Sequence, residues 1–281
     1  MEMRSFTRGF VGSTRRRVFA AFGCAAVLIT GSLSATAQAE AQSSVPSPAQ
    51  AADIFLTLTG EPGPHRVPGH YFTSPVPPKA QNDIRPTALV GPSTPILVGD
   101  SLCTIAVSGF DAHGNKVAIT AGHCANPGTP VTSGDAPEAG RIGTYVRTGS
   151  PDYGVIKLDN NVRLTNTYGR ASIGQLGGAV PATLQQICKT GISTGTSCGP
   201  VIGVDGPYLL AHLCGSHGDS GGPIYAGNRL VAIVNGGLGN LPSCTTPLQG
   251  PVHAPVAGAL WTVIQRSLDA NGGVGDGFRL P

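Results

Sequence analysis

An all-β fold of antiparallel barrels or a sandwich, with one helix near the C-terminus, is what this sequence predicts, and three observations point to it. The chain holds 41 glycines and 24 prolines, which disfavours a helical bundle because helix interiors tolerate neither. From Ile96 onward, short β-branched segments are separated by Gly, Asn, Asp and Ser turns, with no helical periodicity between them. Near the end, Val256, Leu260, Val263, Ile264 and Leu268 recur at three- and four-residue spacing, which predicts one amphipathic helix packed on the outside.

The strand segments, in order, are Cys103–Val107, Lys116–Thr120, Arg141–Arg147, Tyr153–Leu158, Val201–Val204, Tyr208–Leu213 and Leu230–Val234. With 40% hydrophobic and 12% charged residues among 281, the chain has ample material for a core. Its formal charge of +3 includes Arg4, Arg8, Arg15, Arg16 and Arg17. The rest is close to neutral, and no basic, aromatic-laced stripe points to nucleic acid.

Residues 1–39 read as an export signal: a basic start, an apolar run from Val18 to Leu33, and small residues leading to cleavage after Ala37 or Ala39. Arg16-Arg17-Val18-Phe19 also resembles a twin-arginine signal. A secreted protein without stable membrane association after cleavage is expected. Residues 40–95 are crowded with proline and read as a leader or a propeptide, because no core can be built there. Of the seven cysteines, Cys24 lies in the signal's apolar run, where the lipid-attachment pattern is lacking. The other six suggest a disulfide framework, whose 15 connectivities spacing does not resolve.

Three separated motifs carry chemistry. In Gly218-Asp219-Ser220-Gly221-Gly222-Pro223, a serine between glycines on a tight turn can expose its hydroxyl as a nucleophile. The same turn can aim the amides of Gly218 and Ser220 at one point, where an oxyanion would sit. The strand Val117-Ala118-Ile119 runs into Thr120-Ala121-Gly122-His123-Cys124, making His123 a candidate base for that hydroxyl. Asp152, at the head of Tyr153-Gly154-Val155-Ile156, is placed to orient the imidazole. Taken singly, each also fits an ordinary turn or strand end, so chain order decides. The order His, Asp, Ser is neither that of the subtilisins nor that of the α/β-hydrolases.

Between Pro95 and Leu268 these motifs resemble the bacterial streptogrisin and α-lytic-like branch of the chymotrypsin-like serine endopeptidases. Cys188-Lys189-Thr190-Gly191, Thr194-Gly195-Thr196-Ser197-Cys198-Gly199 and Cys214 add to the likeness. The resemblance implies two packed antiparallel six-stranded β-barrels, residues 96–178 and 179–281, the second carrying the C-terminal helix. It implies a His123, Asp152, Ser220 triad acting through an acyl-enzyme on a protein or peptide substrate, in a monomer. It further implies the pairs Cys103 with Cys124, Cys188 with Cys198 and Cys214 with Cys244, and an ion pair from Lys189 to a buried Asp219. This chemistry requires no metal and no organic cofactor.

The sequence departs from the family's usual Ser-Gly-Gly or Ser-Trp-Gly at Val234-Asn235-Gly236-Gly237, placing Asn235 where a serine normally supports the aspartate. Leu241-Pro242-Ser243 is inserted before Cys244. The stretch Cys214-Gly215-Ser216-His217 has no carboxylate, which disfavours Arg or Lys before the cut. Gly236 and Gly237 would leave room, with Val234 and Leu238 as walls, for a medium apolar residue. His217 at the mouth is the argument for an acidic residue instead. Competing readings are an inactive binding module of the same fold, an esterase, and a zinc cluster at His212, Cys214 and His217. Export disfavours the last, since free thiolates are rare outside the cell.

Overall fold

The computed structural model describes residues 87–238, 241–244 and 252–281. The signal segment, Cys24 and the proline-rich stretch up to residue 86 lie outside the described residues. Paired structure begins earlier than the expected boundary at residue 96. Strand β1 (Ala88–Val90) is buried throughout, and its first amide donates to the Asn161 carbonyl. Pro86 and Pro92 flank these three residues, so the local pattern reads as leader although the strand has a partner far along the chain.

The first sheet contains β2 (Pro95–Val98), β3 (Ser101–Thr104), β4 (Val107–Phe110), β5 (Lys116–Ala121), β6 (Pro130–Ser133), β7 (Arg141–Gly149) and β8 (Tyr153–Leu158). Its order is β3-β2-β6-β7-β8-β5-β4, antiparallel throughout and curled into a half-barrel. The two edge strands are consecutive in the chain, which bends at Ile105–Ala106. There Ile105 N–H donates to Thr94 and Ala106 N–H to Ile119, so neighbouring residues bond to different strands. The expected single strand Cys103–Val107 spans this corner. Its residues are buried on both sides of the bend, and periodicity gives no sign of it.

β9 (Val162–Leu164) pairs in parallel with β1, and β10 (Thr167–Tyr168) with β11 (Ala171–Ser172) forms a small hairpin. The second sheet contains β12 (Gln175–Leu176), β13 (Gln186–Gly191), β14 (Gly195–Asp205), β15 (Tyr208–Ala211), β16 (Pro223–Ala226), β17 (Arg229–Gly237) and β18 (Val256–Leu260). The six strands β17-β16-β13-β14-β15-β18 close on themselves, because β18 pairs with both β15 and β17. This closure explains a difference from the expected helix. Val256 and Leu260 belong to β18, and helix α1 runs over Trp261–Asn271 with Trp261, Ile264 and Leu268 buried. Pairing on both edges outweighs the helical spacing of the strand's apolar residues.

Each sheet encloses its own core, exemplified by Ile96, Ile142 and Ile156 in the first and Ile187, Leu209 and Val231 in the second. A third apolar cluster joins them. In it Val107, Ile119 and Val155 from the first sheet meet Tyr225, Leu230 and Ile233 from the second, with Trp261, Ile264 and Leu268 of α1. Each such buried side chain contributes about 1.5–3 kcal/mol. That layer fixes the half-barrel against the closed barrel, and hence the residues that face each other across the cleft.

Candidate active site

His123 lies in a single 3-10 turn, Gly122–Cys124, at the end of β5. Tyr145 O–H donates to the carbonyls of Ala121 (3.1 Å) and Gly122 (2.8 Å), while Cys124 is tied to Cys103 of β3 by a disulfide. Asp152 occupies the tight connection between β7 and β8 at φ +31°, a left-handed conformation that a short polar side chain tolerates. It grips the histidine turn at three points. Its carbonyl accepts Gly122 N–H at 2.9 Å, Oδ1 accepts His123 N–H at 2.8 Å, and Oδ2 lies 2.7 Å from His123 Nδ1. This closeness requires Gly122, because a β-carbon there would sit 2.6 Å from Asp152 Oδ1.

His123 Nε2 lies 2.9 Å from Ser220 Oγ, in the turn between β15 and β16. A hydroxyl, an imidazole and a carboxylate are thus hydrogen-bonded in series. The hydrogen bond to Asp152 raises the pKa of His123 above its ordinary 6.5, against partial burial and with the carboxylate's charge adding to the rise. Burial pushes Asp152 up, but hydrogen bonds from His123 and Asn235 outweigh it and leave the carboxyl below its ordinary value.

The serine turn is held from the opposite barrel. Thr104, fully buried on β3, donates from Oγ1 to the Gly218 carbonyl at 2.7 Å and from its amide to the Ser220 carbonyl at 2.8 Å. The amides of Asp219, Gly221 and Gly222 donate to backbone carbonyls. Among the described hydrogen bonds, those of Gly218 and Ser220 have no acceptor and remain available to a ligand. Asp219 points away into the barrel, where Lys189 Nζ lies 2.8 Å from Oδ2 with both side chains fully buried. Thr194 Oγ1 (2.5 Å) and Ser216 N–H (3.0 Å) complete Oδ2, and the amides of Ser193 (2.8 Å) and Thr194 (3.2 Å) donate to Oδ1. So full a set of donors is what a buried carboxylate requires.

Asn235, named from the sequence as a departure, spans the cleft. Its Nδ2 donates to Asp152 Oδ2 at 2.5 Å and to the Asp152 carbonyl at 3.0 Å, while its Oδ1 accepts the Ala259 amide at 2.5 Å. It sits at a bulge in β17, between Val234 opposite Gly258 and Gly236 opposite Ala257. The bulge turns the side chain toward Asp152. Beside it a cavity of about 290 Å³ opens next to His123 and Ser220. Val234, Gly236, Gly237 and His217 line it, as the sequence suggests; Ser243, from the insertion before Cys244, lines it as well, and so does Val256, which sequence reasoning missed. Leu238 does not line the cavity and is 37% exposed. No lining residue among those described is Asp, Glu, Lys or Arg.

The remaining disulfides join Cys188 to Cys198, directly opposite each other on β13 and β14, and Cys214 to Cys244. Cys214 is therefore no thiolate ligand. The neighbouring His212 instead packs its ring 4.4 Å from that of His253.

No family model matches the chain. Against curated proteins it is 30% identical over 177 residues to glutamyl endopeptidase 2 of Streptomyces griseus, covering 58% of this chain and 90% of that protein. It is 29% identical over 194 residues to streptogrisin-A of the same organism, covering 59% and 58% of the two chains. The chain belongs to the streptogrisin-like branch of the chymotrypsin-like serine endopeptidases. The fold agrees: the crystal structure of Nocardiopsis protease superposes with a TM-score of 0.52 at 24% identity, covering 64% of this chain and 96% of that one. Both streptogrisin-like relatives are proteases, enzymes that act on peptide substrates.

Proposed function

We propose that this protein is an exported endopeptidase that cleaves after medium-sized apolar residues, using His123, Asp152 and Ser220 as its triad. The supporting observation is the hydrogen-bonded series from Asp152 through His123 to Ser220 beside a cavity with no Asp, Glu, Lys or Arg among its described lining residues. His123 Nε2 takes the proton from Ser220 Oγ as the oxygen attacks the peptide carbonyl carbon. The carbonyl oxygen becomes an oxyanion facing the Gly218 and Ser220 amides. The imidazolium, stabilised by Asp152, then protonates the departing amine, and the ester to Ser220 remains. Water gives a proton to His123, attacks the ester and releases the acid, returning the proton to Ser220. Three disulfides support an oxidising destination.

Val234 and Val256 form apolar walls, and a β-carbon at Gly236 would meet nothing within 4 Å, so that flank is open to a substrate side chain. A second reading, an acidic residue before the cut, is favoured by His217 on the exposed rim and by the similarity to glutamyl endopeptidase 2. Digestion of a peptide library, with cut sites read by mass spectrometry, tests both. Cuts after Val, Leu, Ala or similar residues are expected; a majority after Glu or Asp would replace the first reading with the second. Cuts that persist in Ser220→Ala would refute the triad.

The pH dependence has a definite sign. His123 must be neutral to accept the Ser220 proton, and its pKa is raised by Asp152. The acidic limb of kcat/KM is therefore expected to lie above the ordinary histidine value of ~6.5 and to track one proton. A pH-rate profile on an uncharged substrate checks this. Full activity at pH values well below that limb would contradict a histidine base.

A further inference from the structure

The Gly218 amide belongs to the same planar peptide as the His217 carbonyl, so the two point in opposite directions. Whatever holds that carbonyl also aims that N–H. Among the described hydrogen bonds, the carbonyl accepts one, from Ser193 Oγ. Ser193 is 1% exposed, in the loop joining β13 to β14, and its own amide is fixed by Asp219 Oδ1 at 2.8 Å. The hydroxyl therefore approaches from a rigid base. Gly218 has φ +93°, and a β-carbon there would collide with the same Ser193 oxygen. A glycine at such a φ can also adopt other conformations, so the peptide turns over easily unless its carbonyl is held. The other proposed donor is secured differently. The Ser220 amide shares its peptide with the Asp219 carbonyl, which accepts Gly222 N–H at 2.9 Å.

We infer that Ser193 is a positioning residue for the reaction: its hydroxyl holds the His217–Gly218 peptide so that the Gly218 N–H faces the developing oxyanion. The inference rests on the proposed assignment of Gly218 and Ser220 as oxyanion donors. Ser193 touches no substrate itself. Its effect falls on the tetrahedral species, in which the oxygen is charged and the donor counts most, and not on the bound substrate.

The test compares the purified protein with Ser193→Ala, Ser193→Cys and Ser193→Thr. Loss of one oxyanion donor costs about 10²–10³ in kcat, so freeing its peptide is expected to cost Ser193→Ala roughly 10- to 100-fold, with KM little changed. Affinity for a peptide aldehyde, whose hemiacetal oxygen occupies the oxyanion position, should fall by a similar factor. Affinity for the corresponding peptide acid, a ground-state ligand, should not. Cysteine keeps the size but is a weak donor and should fall between alanine and the parent, whereas threonine keeps the hydroxyl and should recover most of the rate. Melting temperatures separate a folding defect, and if the alanine variant does not fold, the cysteine variant carries the comparison. An alanine variant within twofold of the parent in kcat, or equal losses for aldehyde and acid in that variant, would overturn the inference while leaving the triad intact. A parent whose Ser220 fails to react with a phosphonylating probe would overturn the triad reading and this one with it.

Discussion

Replacing Lys189 with methionine is expected to lower the free energy of unfolding by about 3–5 kcal/mol, because it leaves the Asp219 carboxylate buried without its counter-charge. For a domain of this size that corresponds to a fall in Tm on the order of 10 °C. Both side chains are fully buried and 2.8 Å apart, so solvent screens the pair little. Activity should fall further than stability. Asp219 lies between the Gly218 and Ser220 amides, and its oxygens bind Ser193 and Thr194 on one side and Ser216 on the other. Displacing the carboxylate thus displaces the turn that carries both proposed oxyanion donors. Adding Asp219→Asn to Lys189→Met should return part of the lost stability, since an uncharged amide oxygen can still accept the Ser193 amide. Denaturant melts of the single and double variants check this; a single variant within 1 kcal/mol of the parent would show that the pair carries little weight.

Ser220→Ala and His123→Ala should each lower kcat by about a millionfold, and the double variant should be no worse than either one. The reason is that attack requires nucleophile and base together. Nε2 lies 2.9 Å from Oγ, and removing either atom ends the proton transfer. Asp152→Asn should cost less, about 10⁴-fold, by favouring the wrong tautomer of an imidazole that stays in place. Single-turnover rates on an activated ester and a peptide measure all four variants. Additive losses in the double variant would mean that the two residues do not act as a unit.

Much of this site was legible in the sequence because its chemistry is carried by local motifs. A strand running into Gly122-His123-Cys124, an aspartate heading an apolar strand, and a serine between glycines each declare themselves within a few residues. Their order along the chain supplied the rest. What stayed hidden depends on contacts between distant segments. Thr104 reaches Gly218 across 114 positions, and nothing in Leu-Cys-Thr-Ile marks it as a clamp. Ser193 reads as a loop serine until the His217 carbonyl is seen against it. Val256 reads as helical by spacing and becomes a cavity wall because β18 closes the barrel. Asn235 was visible as a departure, but its hold on Asp152 depends on a bulge that periodicity does not reveal. The corner at Ile105–Ala106 was hidden because the residues on both sides of it are buried.

Ser220, as proposed, is a nucleophile activated by His123. Intact-mass measurement after treatment with a fluorophosphonate tests this most directly. The expected result is one phosphonyl group per molecule, located by peptide mapping on Ser220. Its rate of attachment should fall as pH drops through the His123 limb, and labelling should be lost in His123→Ala. An unlabelled parent, or equal labelling of Ser220→Ala, would contradict the account.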